Sequence, residues 1–398
     1  MSKRMFHLWI RAEQRKNEKR VGITPDDAFE LINAGIKVTV EESTDRIIPT
    51  EEYYKVGSEI AKQDTWPGAP KNTIILGLKE LPKDLETIEH KHIMFGHAFK
   101  GQTNGQELLK KFKAGKGILY DLEYLTDPGG RRLAAFGYWA GFAGAAVSLK
   151  AYSDQQNNKG ICGPVGIFEN KETVLAYVKN ALLHVEKKFP KILVVGAMGR
   201  VGAGAIDFCE TLGLRVTKWD IEETKNGEPF PEIFEHEIFL NCILARAGGP
   251  VFIAKKHLNS NRNLSVIGDI SCDPDSSFNP LPIYNSATNW EVPVERIEAS
   301  QTLDVMAIDN LPSLLPYESS VDFSKQLLPL LPLKALSSQK FFLSDYFLRQ
   351  QSVSNRPLLY TSARVFGHEL LWLYSQHLAV FQQLQQFLWS HHPNLNVF

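Results

Sequence analysis

Cysteine is scarce in this chain: four residues among 398, Cys162, Cys209, Cys242 and Cys272. No two stand in a CxxC spacing, which argues against a zinc site, and a chain of this length needs no disulfide scaffold. They read as reduced thiols in or near cores. A charge excess of either sign is also missing. Lys and Arg total 44 against 45 Asp and Glu, a formal net charge of -1. Nucleic-acid and acidic-membrane partners usually call for a basic surplus, so neither is expected. A local basic pocket for a small polyanion stays compatible with that balance. No uncharged apolar run reaches the roughly 18 residues of a membrane span. The opening MSKRMFHLWIRAEQ lacks the apolar core of a secretory signal, so a cytoplasmic location is expected.

What is present points to a folded α/β protein. Hydrophobic residues make up 43% and charged residues 22%, and the length suits two domains with their own cores. Short apolar runs alternate with helical stretches. FHLWI and IKVTVEE read as strands, and TPDDAFELINAG between them as a helix. Thr24 caps that helix, Pro25 fits its first turn and Gly35 ends it. NTIILGLKE, HIMFGH and GILYDLEYL follow as strands, with a helix through QELLKKFKAG. This alternation predicts mostly parallel sheets in Rossmann-like domains. The Gly- and Ala-rich stretch 136–150 predicts a helix packed closely on another element, and SDQQNNKGICGPVG at 153–166 a loop. Beyond about residue 334 the character changes. From Val365 to Phe398 only Glu369 is formally charged, and Leu370, Leu373, Leu378, Phe381, Leu384 and Leu388 fall at helical spacing. A helix over 368–389, buried on a domain or a subunit contact, is expected there.

The strongest motif is KILVVGAMGRVGAGA. An apolar strand, Ile192 to Val195, runs into Gly196, Gly199 and Gly202 and then a helix opened by small residues. Glycines let the backbone turn tightly beside a pyrophosphate, and the helix start offers N–H groups and a positive dipole end. The spacing GxxGxxG departs from the common GxGxxG. A second strand, LRVTKWD, ends in Asp220, about 20 residues beyond the loop, where an acid hydrogen-bonds the ribose hydroxyls. Such an acid repels a 2′-phosphate and favours NAD over NADP. Lys218 and Lys225 stand close enough in sequence to soften that preference.

Ionisable residues also follow the strands of the first half. Lys79 follows TIILGL, His97 follows IMFG, Glu123 lies near the end of GILYDL, and Arg131 and Arg132 sit in the PGGRR turn. Taken one at a time, each reads as readily as a solvated charge or a core histidine. Their shared place at strand ends is what singles them out.

The motifs resemble a known family. RAExxxxExR with TP at 11–25, IILGLKELP at 74–82, HxxFxHxxK at 92–100, LYDLEYL at 119–125 and GRRLAAFG at 130–137 are similar to lysine-forming saccharopine dehydrogenases. So are GAMGRVGAGAID at 196–207, KWDI at 218–221, NCI at 241–243 and IDNLPSLLP at 308–316. The wider group includes alanine dehydrogenase and the nucleotide-binding part of transhydrogenase. The resemblance runs from about residue 5 to about 333; the end of the chain departs from the family's. Asn310 stands where the family often has His, and Leu244 replaces an aromatic near the adenine.

The resemblance implies two Rossmann-like domains around a cleft. Residues 1–135 with 310–398 would form the substrate domain and 136–309 the NAD domain. It implies NAD as cofactor, no metal, and saccharopine, L-lysine and 2-oxoglutarate as small-molecule partners of a monomer or small homo-oligomer. Lys79 and His97 match the family's acid–base pair, with Glu80 and Glu123 tuning it. Arg20, Gln102, Arg132 and Phe136 match substrate contacts, and Ser271, Cys272 and Asp273 lie on a second substrate segment. Arg131, Gly199, Arg200, Asp220, Thr224 and Ile270 match cofactor contacts, as do Ile308, Asp309, Asn310 and Leu311. Two other readings stay open: another amino-acid dehydrogenase of this architecture, such as an alanine dehydrogenase, and a non-catalytic NAD-binding regulator.

Overall fold

The structure, a computed structural model, describes residues 7–98, 103–157, 160–186, 189–244, 247–259, 261–297 and 299–331. The expected C-terminal helix and Gln102 lie outside the described residues. All described residues belong to one compact unit, Met1–Leu343.

The first part of the chain runs β1 (His7–Ile10), α1 (Pro25–Asn33), β2 (Lys37–Glu41), α2 (Thr50–Lys55), β3 (Glu59–Ala61), β4 (Ile74–Leu76), β5 (Lys91–Met94), α3 (Thr103–Gly115) and β6 (Ile118–Asp121). A long helix, α4 (Gly137–Gln156), and α5 (Lys171–Leu183) lead into the second part. There β7 (Ile192–Val195), α6 (Arg200–Thr211), β8 (Val216–Trp219), α7 (Ile221–Thr224), β9 (Ile238–Asn241), β10 (Val266–Asp269), β11 (Val294–Arg296) and β12 (Asp304–Met306) follow, and α8 (Pro316–Leu327) closes the described chain. The strands form two six-stranded sheets, ordered β3-β2-β1-β4-β5-β6 and β11-β12-β10-β9-β7-β8. Every pairing is parallel except β11 with β12.

The apolar runs become strands because both faces of each sheet are covered. Ile192 and Val194 face a core that includes Phe142, Ala146 and Phe208. Leu193 and Val195, pointing the other way, pack in a core with Phe239, Phe252 and Ile267. Local signals set α1: the Thr24 hydroxyl accepts from the Asp27 N–H, Pro25 opens the helix, and Gly35 takes φ +85° just beyond it.

Two elements differ from the sequence expectation. GILYDLEYL stops being a strand at Asp121, whose carboxylate accepts from the Glu123 N–H and starts a one-turn helix over Leu122–Tyr124. The helix α4 runs on to Gln156, into the stretch expected as a loop. The Ser153 hydroxyl donates to Ala181 O (2.9 Å), and the Gln155 amide donates to Ser265 O (2.9 Å) and Asp304 Oδ2 (2.7 Å). These polar residues are satisfied by partners distant in sequence, so no loop is needed to solvate them.

Helix α8 returns to the first sheet's part of the fold. The Ser320 hydroxyl accepts from Val21 N–H and that of Ser324 from Thr24 N–H, each at 2.9 Å. The Gln326 side chain accepts from Ala135 N–H (3.1 Å) and donates to Ala135 O (3.2 Å).

Candidate active site

Topology gathers the ionisable residues at one end of the first sheet. There β1 lies between β2 and β4, so the strand order reverses across it. In parallel sheets a crevice opens outside the carboxyl ends of strands at such a point. Arg11 and Glu13 follow β1, Lys79 follows β4, His97 follows β5 and Glu123 follows β6. Pairing continues past the strands: Gly77 N–H donates to Ile93 O (3.0 Å) and Phe95 N–H to Leu78 O (3.2 Å). Lys79 and His97 therefore leave neighbouring parallel strands at the same end.

Lys79 is half-buried, and this burial lowers its pKa; the charge of Arg20 lowers it further, while Glu18 pulls it back up. Such a lysine gives up its proton more readily than a solvated one. His97 takes φ +47°, a left-handed conformation uncommon for a residue with a side chain. Its ring stacks near Phe95, with centroids 6.3 Å apart, and its Nδ1 lies 3.9 Å from Glu123 Oε2. The same Glu123 oxygen accepts from Arg132 Nη1 at 3.1 Å.

Arg20 is buried and already paired. Its Nε and Nη2 donate to the two oxygens of Glu18 at 2.7 and 2.6 Å, and Nη2 also reaches Asn310 Oδ1 at 3.1 Å. Burial pushes the Glu18 carboxyl up, but the Arg20 guanidinium outweighs it and holds the group below the ordinary carboxylate value. The guanidinium lies over the Phe136 ring, 4.2 Å from its centroid, and Phe136 stacks on Phe323. Arg15 spans two other residues, with Glu80 Oε1 at 3.7 Å and Asp309 Oδ2 at 3.3 Å.

The second sheet carries its own crevice, between β7 and β9. Gly196 follows β7 with φ +81°, Gly199 caps α6, and a Cβ on Gly202 would lie 2.1 Å from Gly196 O. Only hydrogen fits there, and the loop stays flush against the helix start. The first turn of a helix leaves N–H groups without intrahelical partners, which suits a pyrophosphate. Asp220 lies just past β8: its Oδ2 accepts from Met198 N–H (2.8 Å), its Oδ1 from Ile221 N–H (2.9 Å), and Thr224 Oγ1 donates to its carbonyl (2.9 Å). Three exposed apolar side chains, Met198, Ile221 and Leu244, stand around this edge. A close-packed glycine loop, a strand-end acid and apolar walls together fit a dinucleotide.

Sequence comparison agrees with this geometry. The family described as "Alanine dehydrogenase/PNT, N-terminal domain" matches residues 9–143. The saccharopine dehydrogenase [NAD(+), L-lysine-forming] of Schizosaccharomyces pombe is 42% identical over 342 residues, which is 82% of this chain and 93% of that one. The enzyme of the same name from Emericella nidulans is 42% identical over 368 residues, 88% of this chain and 98% of that one. The chain belongs to the NAD-linked, lysine-forming saccharopine dehydrogenase family. Among solved structures, an L-alanine dehydrogenase superposes with a TM-score of 0.60 at 16% identity, covering 84% of this chain and 91% of that one. A transhydrogenase from Sinorhizobium meliloti gives 0.57 at 15%, covering 86% and 96%. Both show the Rossmann-like α/β fold expected from the sequence. The family works with a nicotinamide dinucleotide and small-molecule substrates.

Within this family frame the expected site residues divide into groups. His97, Glu123 and Arg132 form one group, Arg20, Phe136 and Asn310 another, with the charge of Arg20 acting on Lys79; the Phe95 ring lies between them, its centroid 6.3 Å from that of His97 and 6.1 Å from that of Phe136. Glu80 and Asp309 meet at Arg15. Ser271, Cys272 and Asp273 follow β10, with Cys272 at φ +35° and its Sγ donating to Ala307 O (3.0 Å). Arg131 is exposed, and Arg200 donates to Arg132 O (2.7 Å). Ile270, Ile308 and Leu311 are buried in the core around α4.

The cysteines Cys162, Cys209 and Cys242 are buried free thiols, and Cys272 is half-buried. Lys218 pairs with Glu210 (2.7 Å) and Lys225 with Glu222 (2.5 Å), so each lysine beside Asp220 has its own acid. Glu18 sits inside a sequence motif, yet its spacing from Arg20 does not tell that the two form a buried fork. Glu13 and Asp121 lie inside the RAExxxxExR and LYDLEYL motifs, yet nothing in those motifs tells that their carboxylates hold the loops of Lys79 and His97. Among the described residues no helix is long and apolar enough to cross a membrane.

Proposed function

We propose that this enzyme interconverts saccharopine with L-lysine and 2-oxoglutarate, using NAD. The observation that carries the reading is the issue of Lys79 and His97 from the same end of adjacent strands, beside a cluster of arginines. Saccharopine bears three carboxylates on either side of a secondary amine, and Arg20, Arg132 and the segment Ser271 to Asp273 suit such a substrate. Phe136 completes its surroundings. Among the described residues, those up to 135 together with 310–331 hold the substrate and those of 136–309 the cofactor. Gly196, Gly199, Arg200 and Gly202 face the pyrophosphate, and Asp220 and Thr224 face the ribose. Arg131, Ile270 and the loop Ile308 to Leu311 stand toward the rest of the dinucleotide.

The bound nicotinamide supplies the hydride acceptor for the carbon next to the amine. Before that step the amine must be neutral, and Lys79, with its lowered pKa, takes the proton. His97 then takes a proton from the water that adds to the imine carbon and returns one to the departing lysine amine. Glu123 holds the His97 ring and shares its charge with Arg132, while Glu80 offsets the positive charge around Lys79.

The test compares two substrate pairs under NADH. Rapid NADH oxidation with lysine plus 2-oxoglutarate, and none with pyruvate plus ammonia, is expected. The reverse result would replace this reading with an alanine-dehydrogenase activity, and binding of NADH with no turnover of either pair would make the protein a regulator.

Cofactor choice gives a further prediction. Because Asp220 faces the ribose position and Lys218 and Lys225 are each paired with another acid, NADH is expected over NADPH by at least tenfold, or about 1.4 kcal/mol. Steady-state kcat/KM for the two cofactors measures it. Equal use of NADPH would rule out a ribose role for Asp220.

A further inference from the structure

Each of the two proton carriers sits on a loop whose main chain is gripped by a carboxylate from the neighbouring strand. Glu13, just past β1, accepts from Leu78 N–H with Oε1 (2.6 Å) and from Lys79 N–H with Oε2 (3.0 Å). Arg11 lies against the same carboxylate (3.4 Å) and donates from Nη2 to Lys79 O and to Glu80 O. The N–H and C=O of Lys79 are thus both held by side chains from β1's end. Arg11 and Glu13 are almost wholly buried, at 1% and 8% side-chain exposure, so the clamp is shielded from water. The fit depends on Gly77, where a Cβ would lie 2.2 Å from Arg11 Nε.

The arrangement on the other side of β4 and β5 mirrors it. Asp121 ends β6, the neighbour of β5, and is fully buried. Its carboxylate accepts from Gly96 N–H (3.0 Å), Ala98 N–H (3.5 Å) and Glu123 N–H (3.0 Å). Those bonds bracket His97, at its left-handed φ of +47°, and fix the start of the turn that carries Glu123. Burying a carboxylate is costly unless N–H donors or a cation satisfy it. Glu13 has both and Asp121 has three donors, so neither needs substrate for its stability.

We propose that Glu13 and Asp121 are positioning residues for the reaction, each fixing the main chain of one proton carrier, Lys79 and His97 respectively. The inference rests on the proton-carrier reading of Lys79 and His97. Neither carboxylate need touch substrate. A displacement of a proton carrier by about 1 Å is enough to cost on the order of 100-fold in rate. Carboxylates suit the task because two oxygens in fixed geometry accept two N–H bonds at once, and charge-assisted bonds are the stronger kind. An amide in the same place keeps one acceptor and turns a donor toward the second N–H.

The test is a pair of double-mutant cycles in the full chain, assayed with lysine, 2-oxoglutarate and NADH. Glu13→Gln is combined with Lys79→Met, and Asp121→Asn with His97→Gln. Alone, Glu13→Gln and Asp121→Asn are each expected to lower kcat roughly 10- to 100-fold, with KM and the NADH dissociation constant changed by less than about threefold. In the Lys79→Met background Glu13→Gln is expected to cost less than twofold more, because the group it positions is already gone; Asp121→Asn should behave likewise over His97→Gln.

Full additivity in either cycle, or a loss carried by KM and NADH binding instead of kcat, would overturn the positioning role. A nearly normal Lys79→Met or His97→Gln single mutant would instead overturn the underlying proton-carrier reading, so the two failures are told apart. Should Glu13→Gln yield no folded protein, Arg11→Lys enters the same cycle: it keeps the charge beside Glu13 but loses the guanidinium reach to the two carbonyls. Asp121→Glu serves in the same way for Asp121→Asn.

Discussion

Replacing Lys79 by Met or His97 by Gln is expected to lower turnover with lysine, 2-oxoglutarate and NADH by about 100- to 10,000-fold each, the usual contribution of one general acid–base group. Both residues leave adjacent strands at the sheet's carboxyl end, and their surroundings differ in a way that suits different transfers. Lys79 is held toward its neutral form by burial and by Arg20. His97 is half exposed, with its Nδ1 3.9 Å from Glu123 Oε2. NADH binding should survive both changes, because the glycine loop and Asp220 belong to the other sheet. The double mutant should fall by less than the product of the single losses, since groups that act on one reaction path are not additive. Turnover paired with NADH fluorescence titration reads all three outcomes. Near-normal turnover in either single mutant removes that residue from the mechanism, and lost NADH binding marks damage to the fold instead.

Adding a methyl group where α4 and α6 meet is expected to destabilise the whole enzyme. A Cβ on Gly141 would lie 1.8 Å from Val201 O, and one on Gly204 would lie 1.9 Å from Tyr138 O. The obstacle is main chain in both cases, so no side chain can swing aside and the helices must separate. Gly141→Ala and Gly204→Ala should each cost roughly 1–3 kcal/mol or more, the range of an overpacked core. For domains of this size that lowers the melting temperature by roughly 2–4 °C per kcal/mol. Because α6 begins at the glycine loop, the shift should also weaken NADH binding. Gly166→Ala is the control: nothing lies within 4 Å of its added Cβ, and a change within about 0.5 kcal/mol is expected. Thermal melts of the three variants check this. An unchanged midpoint in Gly141→Ala and Gly204→Ala would mean that the helices do not meet at these glycines.

These two sites differ in how far the sequence announced them. The small residues of 136–150 already predict a closely packed helix, because glycine and alanine in a helix otherwise waste burial. Which glycine faces which carbonyl emerges only once α6 lies across α4. The polar run after Lys150 misleads for the same reason in reverse. Ser153 and Gln155 look like loop residues until the backbone carbonyls of Ala181 and Ser265 come within reach. Lys79 and His97 are visible as ionisable residues after apolar runs, and nothing local says that the two runs are neighbours.

By itself the sequence determined the features whose physics is local or short in range. Gly196 and Gly202 mark a tight strand-to-helix turn, Gly196 by its positive φ and Gly202 because a Cβ there would meet Gly196 O, and Asp220 follows at the length of one helix and one strand. Thr24, Pro25 and Gly35 delimit α1 through their own backbone preferences. The tertiary structure alone decided which strand ends share a crevice, since the order β3-β2-β1-β4-β5-β6 places β1 beside β4 although β2 and β3 lie between them in the chain. It alone decided that Arg20 turns inward to Glu18 and Asn310, and that Glu13 and Asp121 close on the loops of Lys79 and His97. Apart from the Arg20–Glu18 pair, each of those bonds joins residues brought together by sheet pairing or tertiary packing, and a side chain's choice among many acceptors is made by geometry that its neighbours in sequence do not carry.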